Sequence, residues 1–116
     1  MHELNIATEI LRAVNSEAAR ANLLRVDEIG LRIGALSGVD PDALRFALEA
    51  STIDTPLAGV RVDIECLPVR ATCRACQGTI EVTDYMFICP HCGSGDLVVT
   101  QGEELQLARI TGQDQA

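Results

Sequence analysis

Four cysteines in two C-x-x-C pairs impose the strongest constraint on the fold of this chain. Cys73 and Cys76 form the first pair, Cys89 and Cys92 the second, and twelve residues separate them. This spacing is typical of a zinc ribbon, in which each pair makes a tight turn that aims two thiolates at one tetrahedral ion. We therefore predict a four-cysteine zinc site, because one ion with Zn–S bonds of about 2.3 Å would join the two turns.

The residues around the cysteines predict the local structure of this module. Gly78, Gly93 and Gly95 follow the pairs and are expected to supply the positive φ angles that such turns need. Between the pairs, residues 79–83 and 85–88 are rich in strand-forming side chains. They predict a strand, a turn at the intervening aspartate, and a second strand.

Other uses of these cysteines fit less well. Disulfides need an oxidising compartment, and a total of five cysteines is odd. A thioredoxin-type redox site needs one C-x-x-C beside a βαβ unit rather than two facing pairs. A rubredoxin-like iron site has the same ligands, so spacing leaves an iron electron carrier open; zinc is favoured because it is commoner in such sites.

Length and charge narrow the function classes. The 116 residues fit one domain with a small annex, no apolar run reaches the roughly 20 residues that cross a bilayer, and the N-terminus does not resemble a signal peptide. We expect a cytoplasmic protein with reduced cysteines. Nine basic against seventeen acidic residues give a formal charge of −8, which disfavours a zinc-ribbon nucleic-acid adaptor.

Hydrophobic periodicity predicts an α+β fold, with two helices packed on a small mixed sheet and the zinc ribbon inserted. Helices are expected over residues 3–22 and from Pro41 to about Ser51, with Asp40 as N-cap. Alternating residues predict strands over 26–33 and 60–66, and further strands after Gly95 that return to the first domain. The predicted boundaries are residues 1–67 plus 98–112 for an α/β domain and 68–97 for the zinc-binding domain.

The first residues offer a second metal site. The imidazole of His2, the terminal amine and the first backbone amides, which have no acceptor within a helix, could wrap a metal in a plane. A flat, nitrogen-rich set suits Ni(II) or Cu(II) better than Zn(II). Glu3 could add an oxygen ligand, and whether Asp40 reaches this site depends on tertiary packing.

The remaining candidates favour ordinary roles. Cys66 continues the apolar face of a predicted strand, so we expect a small buried side chain rather than a reactive thiol. His91 lies inside the second cysteine pair, where Cys92 already completes the ligand set, and is expected to be exposed. The chain has no nucleophile motif or phosphate loop, so we expect no enzyme activity.

Several motifs together resemble the HypA/HybF family of nickel metallochaperones of [NiFe]-hydrogenase maturation. They are Met-His-Glu-Leu at residues 1–4, Arg-Ile-Gly-Ala-Leu-Ser-Gly-Val at 32–39 before an Asp-Pro-Asp-Ala-Leu-Arg-Phe helix, the two C-x-x-C pairs, and Thr-Gln-Gly-Glu-Glu-Leu at 100–105. The resemblance covers nearly the whole chain, in order and in spacing.

This resemblance implies roles for the candidate residues. It implies nickel ligation by His2, through imidazole and backbone, with help from Glu3 and Asp40, and zinc ligation by the four cysteines. It further implies that Ni(II) is cargo, that the GTPase HypB and the hydrogenase large subunit are partners, and that some relatives serve urease. No nucleic-acid or membrane partner is implied.

Overall fold

The computed structural model describes residues 2–114, with the side chain of His2 excepted. Two helices and six strands follow one another in these residues: α1 (His2–Arg20), β1 (Leu23–Gly34), α2 (Pro41–Thr52), β2 (Arg61–Leu67), β3 (Val69–Cys73), β4 (Thr79–Val82), β5 (Leu97–Gln101) and β6 (Leu105–Asp114).

Both helices form where the periodicity predicts them. In α1, Ala7, Ile10 and Val14 recur at helical spacing and are buried. The helix ends at Arg20, two residues before the predicted end, because Asn22 takes a left-handed φ of 59°. The helices pack on each other and α1 also packs on β1 and β6, so their apolar stripes form the main core.

The larger sheet has the order β2-β1-β6. Strand β1 runs parallel to β2 and antiparallel to β6, so the sheet is mixed. Ile29, Leu31 and Ile33 of β1 are buried in the core formed with the helices, as the alternation predicts. Helices α1 and α2 with strands β1, β2 and β6 are called the body below.

The smaller sheet, with the order β4-β3-β5, carries the cysteines. All its pairings are antiparallel, and its core contains Val69, Ala71, Ile80 and Val82. Residues 69–101, which include this sheet and both cysteine pairs, are called the four-cysteine module. Two helices, two small sheets and a cysteine cluster confirm the predicted α+β class.

Backbone hydrogen bonds join the two sheets at the end of β1. The amide of Gly34 donates to the carbonyl of Glu104 over 2.8 Å, and the amide of Leu36 donates to the carbonyl of Gly102 over 2.6 Å. A Cβ atom at Gly34 would overlap that Gly102 carbonyl, so this approach requires glycine. Leu36 packs against the core of the four-cysteine module and so anchors it to the body.

Three expectations about the strands and about burial were wrong. Residues 85–88 form no strand, because the chain turns at Asp84 and Tyr85, which both have positive φ. Strand β5 pairs with β3, so only β6 returns to the body sheet. Cys66 is exposed, not buried. The domain boundaries stay a prediction, and the pairing of β5 favours an end of the module at Gln101 rather than at residue 97.

Candidate metal centre

The first cysteine turn, residues 73–78, is closed by two backbone hydrogen bonds. The amide of Gln77 donates to the carbonyl of Cys73, and the amide of Cys73 donates to the carbonyl of Gly78, both over 2.8 Å. Strand β3 ends at Cys73, so the turn begins on the sheet and the strand fixes the position of the first thiol.

The second cysteine turn, residues 89–94, repeats this pattern without a strand before it. Gly93 donates to the carbonyl of Cys89 and Cys89 donates to the carbonyl of Ser94, again over 2.8 Å. The residue after the second cysteine of each pair has positive φ, 78° at Gly93 and 67° at Gln77. The prediction of positive φ is confirmed for Gly93 and wrong for Gly78 and Gly95, and the positive φ of Gln77 was not predicted.

The two turns bring four sulfur atoms together. The Sγ atoms of Cys73 and Cys92 lie 3.5 Å apart, those of Cys76 and Cys89 lie 3.7 Å apart, and all four are within 4.8 Å of one another. A tetrahedron with metal–sulfur bonds of about 2.3 Å has edges of about 3.8 Å. The arrangement therefore fits one tetrahedral metal ion held by four thiolates.

The cluster has a buried side and an open side. Cys73 and Cys89 are 0% and 1% exposed and belong to the apolar core of the module, whereas Cys76 and Cys92 are exposed. His91 is exposed as predicted, and its ring lies close to the space a side chain at Gly78 would occupy. A bound ion would thus fasten the turns to the sheet on one side and face solvent on the other.

The pKa values of the cluster residues Cys73 and Cys92 are shifted in opposite directions. The backbone amide of Cys76 is the main cause that lowers the pKa of Cys73 to about 7. The amide of Ser94 lowers the pKa of Cys92, but the neighbouring thiols and burial raise it further, to about 12. Cys92 is therefore a thiol at neutral pH, and binding of a cation must displace its proton. Metal affinity should rise with pH and fall in acid.

The predicted nickel ligands lie at the beginnings of the two helices. Helix α1 begins at His2, so the first amides of the chain have no acceptor within the helix. Met1 and the side chain of His2 lie outside the described residues, and ligation by His2 stays a prediction. Glu3 is half-buried in the first turn of α1.

Asp40 is the N-cap of α2, as the sequence indicates. One oxygen of its carboxylate accepts from the amides of Asp42, at 3.0 Å, and Ala43, at 3.4 Å. The residue is exposed, and the second carboxylate oxygen takes no part in the cap. Nickel ligation by Asp40 stays a prediction as well.

The first half of α1 lies beside the start of β6. Asn5, Ile6 and Glu9 line one side of a groove of about 500 Å³, and Leu105 and Leu107 line the other. Leu105 directly follows Glu104, whose carbonyl accepts from the amide of Gly34 where the module joins the body. The start of α1 is therefore at the end of the body where the module is attached.

Comparison with known proteins gives the family. The family described as "Hydrogenase/urease nickel incorporation, metallochaperone, hypA" matches residues 1–112. The chain belongs to this HypA family. A hydrogenase maturation factor HypA of Roseiflexus sp. (strain RS-1) is 36% identical over 98% of the chain and 94% of its own length. That of Azotobacter chroococcum mcd 1 is 38% identical over 95% of the chain and 97% of its own length.

Solved structures of HypA proteins share the fold. The solution structure of the Ni metallochaperone HypA from Helicobacter pylori superposes with a TM-score of 0.69 at 18% identity and covers 97% of this chain and 98% of its own. A second HypA solution structure gives a TM-score of 0.73 at 20% identity, covering 99% and 98%. Both support the fold described above.

Membership settles several expectations. HypA proteins are metallochaperones of nickel incorporation for hydrogenase or urease, which confirms the family resemblance and the prediction that the chain is not an enzyme. Within the described residues, no helix has the length and apolar character needed to span a bilayer.

Proposed function

We propose that this chain binds Ni(II) at its N-terminus and delivers it during maturation of [NiFe]-hydrogenase, with urease as the alternative recipient. The ligands would be the imidazole and backbone of His2, with Glu3 and Asp40 assisting. The observation that carries this proposal is that His2 and Glu3 belong to the first turn of α1 in a chain of the HypA family, because the amides of a first helical turn have no acceptor within the helix. Such a nitrogen-rich set suits square-planar Ni(II).

The four-cysteine cluster would hold Zn(II) as a structural ion. Its sulfur separations fit a tetrahedron, and zinc sites closed by four protein ligands leave no position open for chemistry. A closed thiolate site and a site at a chain end suit opposite tasks, since the first retains its ion and the second releases it.

The proposed partners are the GTPase HypB and the [NiFe]-hydrogenase large subunit, in the cytoplasm. Hydrogenase maturation factors act within the maturation machinery, which supports partners of this class.

Replacement of His2 tests the nickel site. We expect His2→Ala to lose stoichiometric Ni(II) binding in calorimetry while it keeps its zinc content and fold. His91→Ala is the matched control, because it removes the other histidine of the chain, an exposed residue of the second cysteine turn, and should bind nickel as the wild type does. Near-wild-type nickel binding by His2→Ala would refute the assignment.

Two further variants assign the oxygen ligands. Asp40→Asn keeps an N-cap side chain, since asparagine caps helices about as well as aspartate, but removes the negative charge. If it weakens nickel binding without lowering stability, Asp40 contacts the metal. Glu3→Gln is the equivalent variant in the first turn of α1.

A further inference from the structure

The turn between the two cysteine pairs exposes a continuous set of large apolar side chains. In the tip segment, residues 83–88, Tyr85 is 74% exposed, Met86 64% and Ile88 54%. Phe87 points the other way and packs against the core of the four-cysteine module. Other large exposed hydrophobic residues, such as Leu24 and Phe46, are separated from one another along the chain.

The tip segment is held in one conformation. The amide of Met86 donates to the carbonyl of Thr83 over 3.0 Å, and Asp84 and Tyr85 have φ of 53° and 57°. Two consecutive left-handed residues are characteristic of a type I′ turn, which normally needs Asn or Gly. Ile88 directly precedes the cluster residue Cys89. A turn closed by its own hydrogen bond loses less conformational entropy on binding than an open loop does, which favours recognition.

The chain around the tip segment is acidic in sequence, and one basic side chain, Arg70 of β3, lies opposite Glu81 in the sheet. Between residues 75 and 108 the chain has no lysine or arginine, and its charged side chains there are all carboxylates. Glu81 and Asp84, both exposed, flank the apolar side chains. A partner surface that matches this tip has an apolar groove with lysine or arginine on its rim.

We propose that the tip segment docks into such a basic-rimmed apolar groove on the protein that receives the nickel. This inference rests on the proposed function, since it presumes delivery. Val82, directly before the tip segment, pairs with Val69, the first residue of β3, so the tip segment begins at the end of the module next to the body. The start of α1 lies at the end of the body where the module is attached, so a recipient that holds the tip is close to the proposed nickel site.

Binding to the purified hydrogenase large-subunit precursor tests the proposal. The variant Tyr85→Asn/Met86→Ser/Ile88→Ser removes the apolar side chains and keeps a residue that tolerates the left-handed conformation at position 85. We expect the affinity to fall at least ~30-fold, because buried aromatic and aliphatic anchors dominate interface energies. The zinc content and the circular dichroism spectrum, which reports on the fold, should not change.

Phe46→Ser is the matched control. Phe46 is 73% exposed on α2, as open as Tyr85, and its replacement should leave the affinity unchanged. The double variant Glu81→Gln/Asp84→Asn should bind about two- to fivefold more weakly at low salt and like the wild type at high salt, as expected for charges at an interface rim.

Each other outcome overturns the proposal. Wild-type affinity of the triple variant would exclude the tip segment, and so would a wild-type chain that does not bind the precursor. A wild-type dimer that the triple variant converts to a monomer in sedimentation would assign the tip to a second copy of the chain. Nickel titration of the same proteins tests the proposed function independently of docking. A wild-type chain that binds no nickel would refute the proposed function and leave the measured docking intact.

Discussion

The body and the four-cysteine module reach a stable fold by different means. In the body, two amphipathic helices pack over a three-stranded mixed sheet, and the hydrophobic core cluster between them consists of aliphatic side chains. The module has a sheet of short strands with no helix over it, and two of its buried residues are the metal-cluster residues Cys73 and Cys89. We therefore expect apolar burial to be enough for the body, and the proposed metal ion to be needed to hold the cysteine turns of the module, whose buried cluster is smaller.

Removal of one cluster cysteine should have the largest effect, and it should destabilise the module but not the body. We expect Cys73→Ser to lose the proposed zinc ion and to unfold the module while the body stays folded, because binding of a structural zinc ion contributes on the order of 10 kcal/mol to the folding of such a unit. Amide hydrogen exchange should become fast in β3, β4 and β5 and stay slow in β1.

Cys66→Ser is the control for this experiment, since Cys66 is an exposed cysteine outside the cluster. It should retain both zinc and slow exchange in the module. If Cys73→Ser kept slow exchange in β3, the module would be stable without its metal and the contrast with the body would fail.

A core substitution in the body should lower stability less, and it should destabilise the body but not the module. Leu48 of α2 is 0% exposed, and Leu48→Ala should lower the free energy of unfolding of the body by about 2 to 5 kcal/mol through lost burial and the cavity it leaves. Zinc content should not change. Phe46→Ala, two residues earlier but 73% exposed, should change stability by less than about 0.5 kcal/mol. Thermal unfolding with a parallel zinc assay measures both, and zinc loss in Leu48→Ala would mean that the regions unfold together.

The sequence predicts the body better than the module, for a physical reason. Helical and strand periodicity arises from burial of one face, so α1, α2, β1 and β2 could be found from their apolar residues. The cysteine spacing gave the cluster residues and their two turns. Which strands pair with one another leaves no such local signal, so the sequence wrongly predicts that β5 belongs to the body. Residues with high strand propensity, such as Tyr85 and Ile88, wrongly predict a strand where the structure has an exposed turn.

The metal sites divide in the same way. The four-cysteine cluster, whose sulfur atoms lie within 4.8 Å of one another, could be predicted from the sequence spacing. The two cysteines of each pair are close in sequence, and the small sheet brings the two pairs together. The predicted nickel site depends on backbone groups and on whether Asp40 approaches the start of α1, and both are tertiary properties. The sequence could therefore name His2 and Glu3 as candidates but not fix a geometry.

The smallest predicted changes in stability come from substitutions that compare the two cysteine turns of the module. Gln77 and Gly93 occupy equivalent positions, with φ of 67° and 78°, but only one of them is a glycine. Gln77→Gly should relieve the left-handed strain and stabilise the zinc-bound module by about 0.5 to 1 kcal/mol, and Gly93→Ala should destabilise it by about 1 kcal/mol. No atom lies within 4 Å of a Cβ at Gly93, so that cost would come from the backbone alone.

Gly95→Ala is the control for this pair, because a Cβ there meets only the Phe87 carbonyl at 3.9 Å and Gly95 lacks a positive φ. It should change the stability of the module far less than Gly93→Ala does. Competition with a zinc chelator at fixed pH measures all three variants, since module stability and zinc affinity are linked. If Gln77→Gly weakened zinc binding, the Gln77 side chain would stabilise the module by more than its left-handed backbone destabilises it. The two turns would then share their hydrogen bonds but differ in energy.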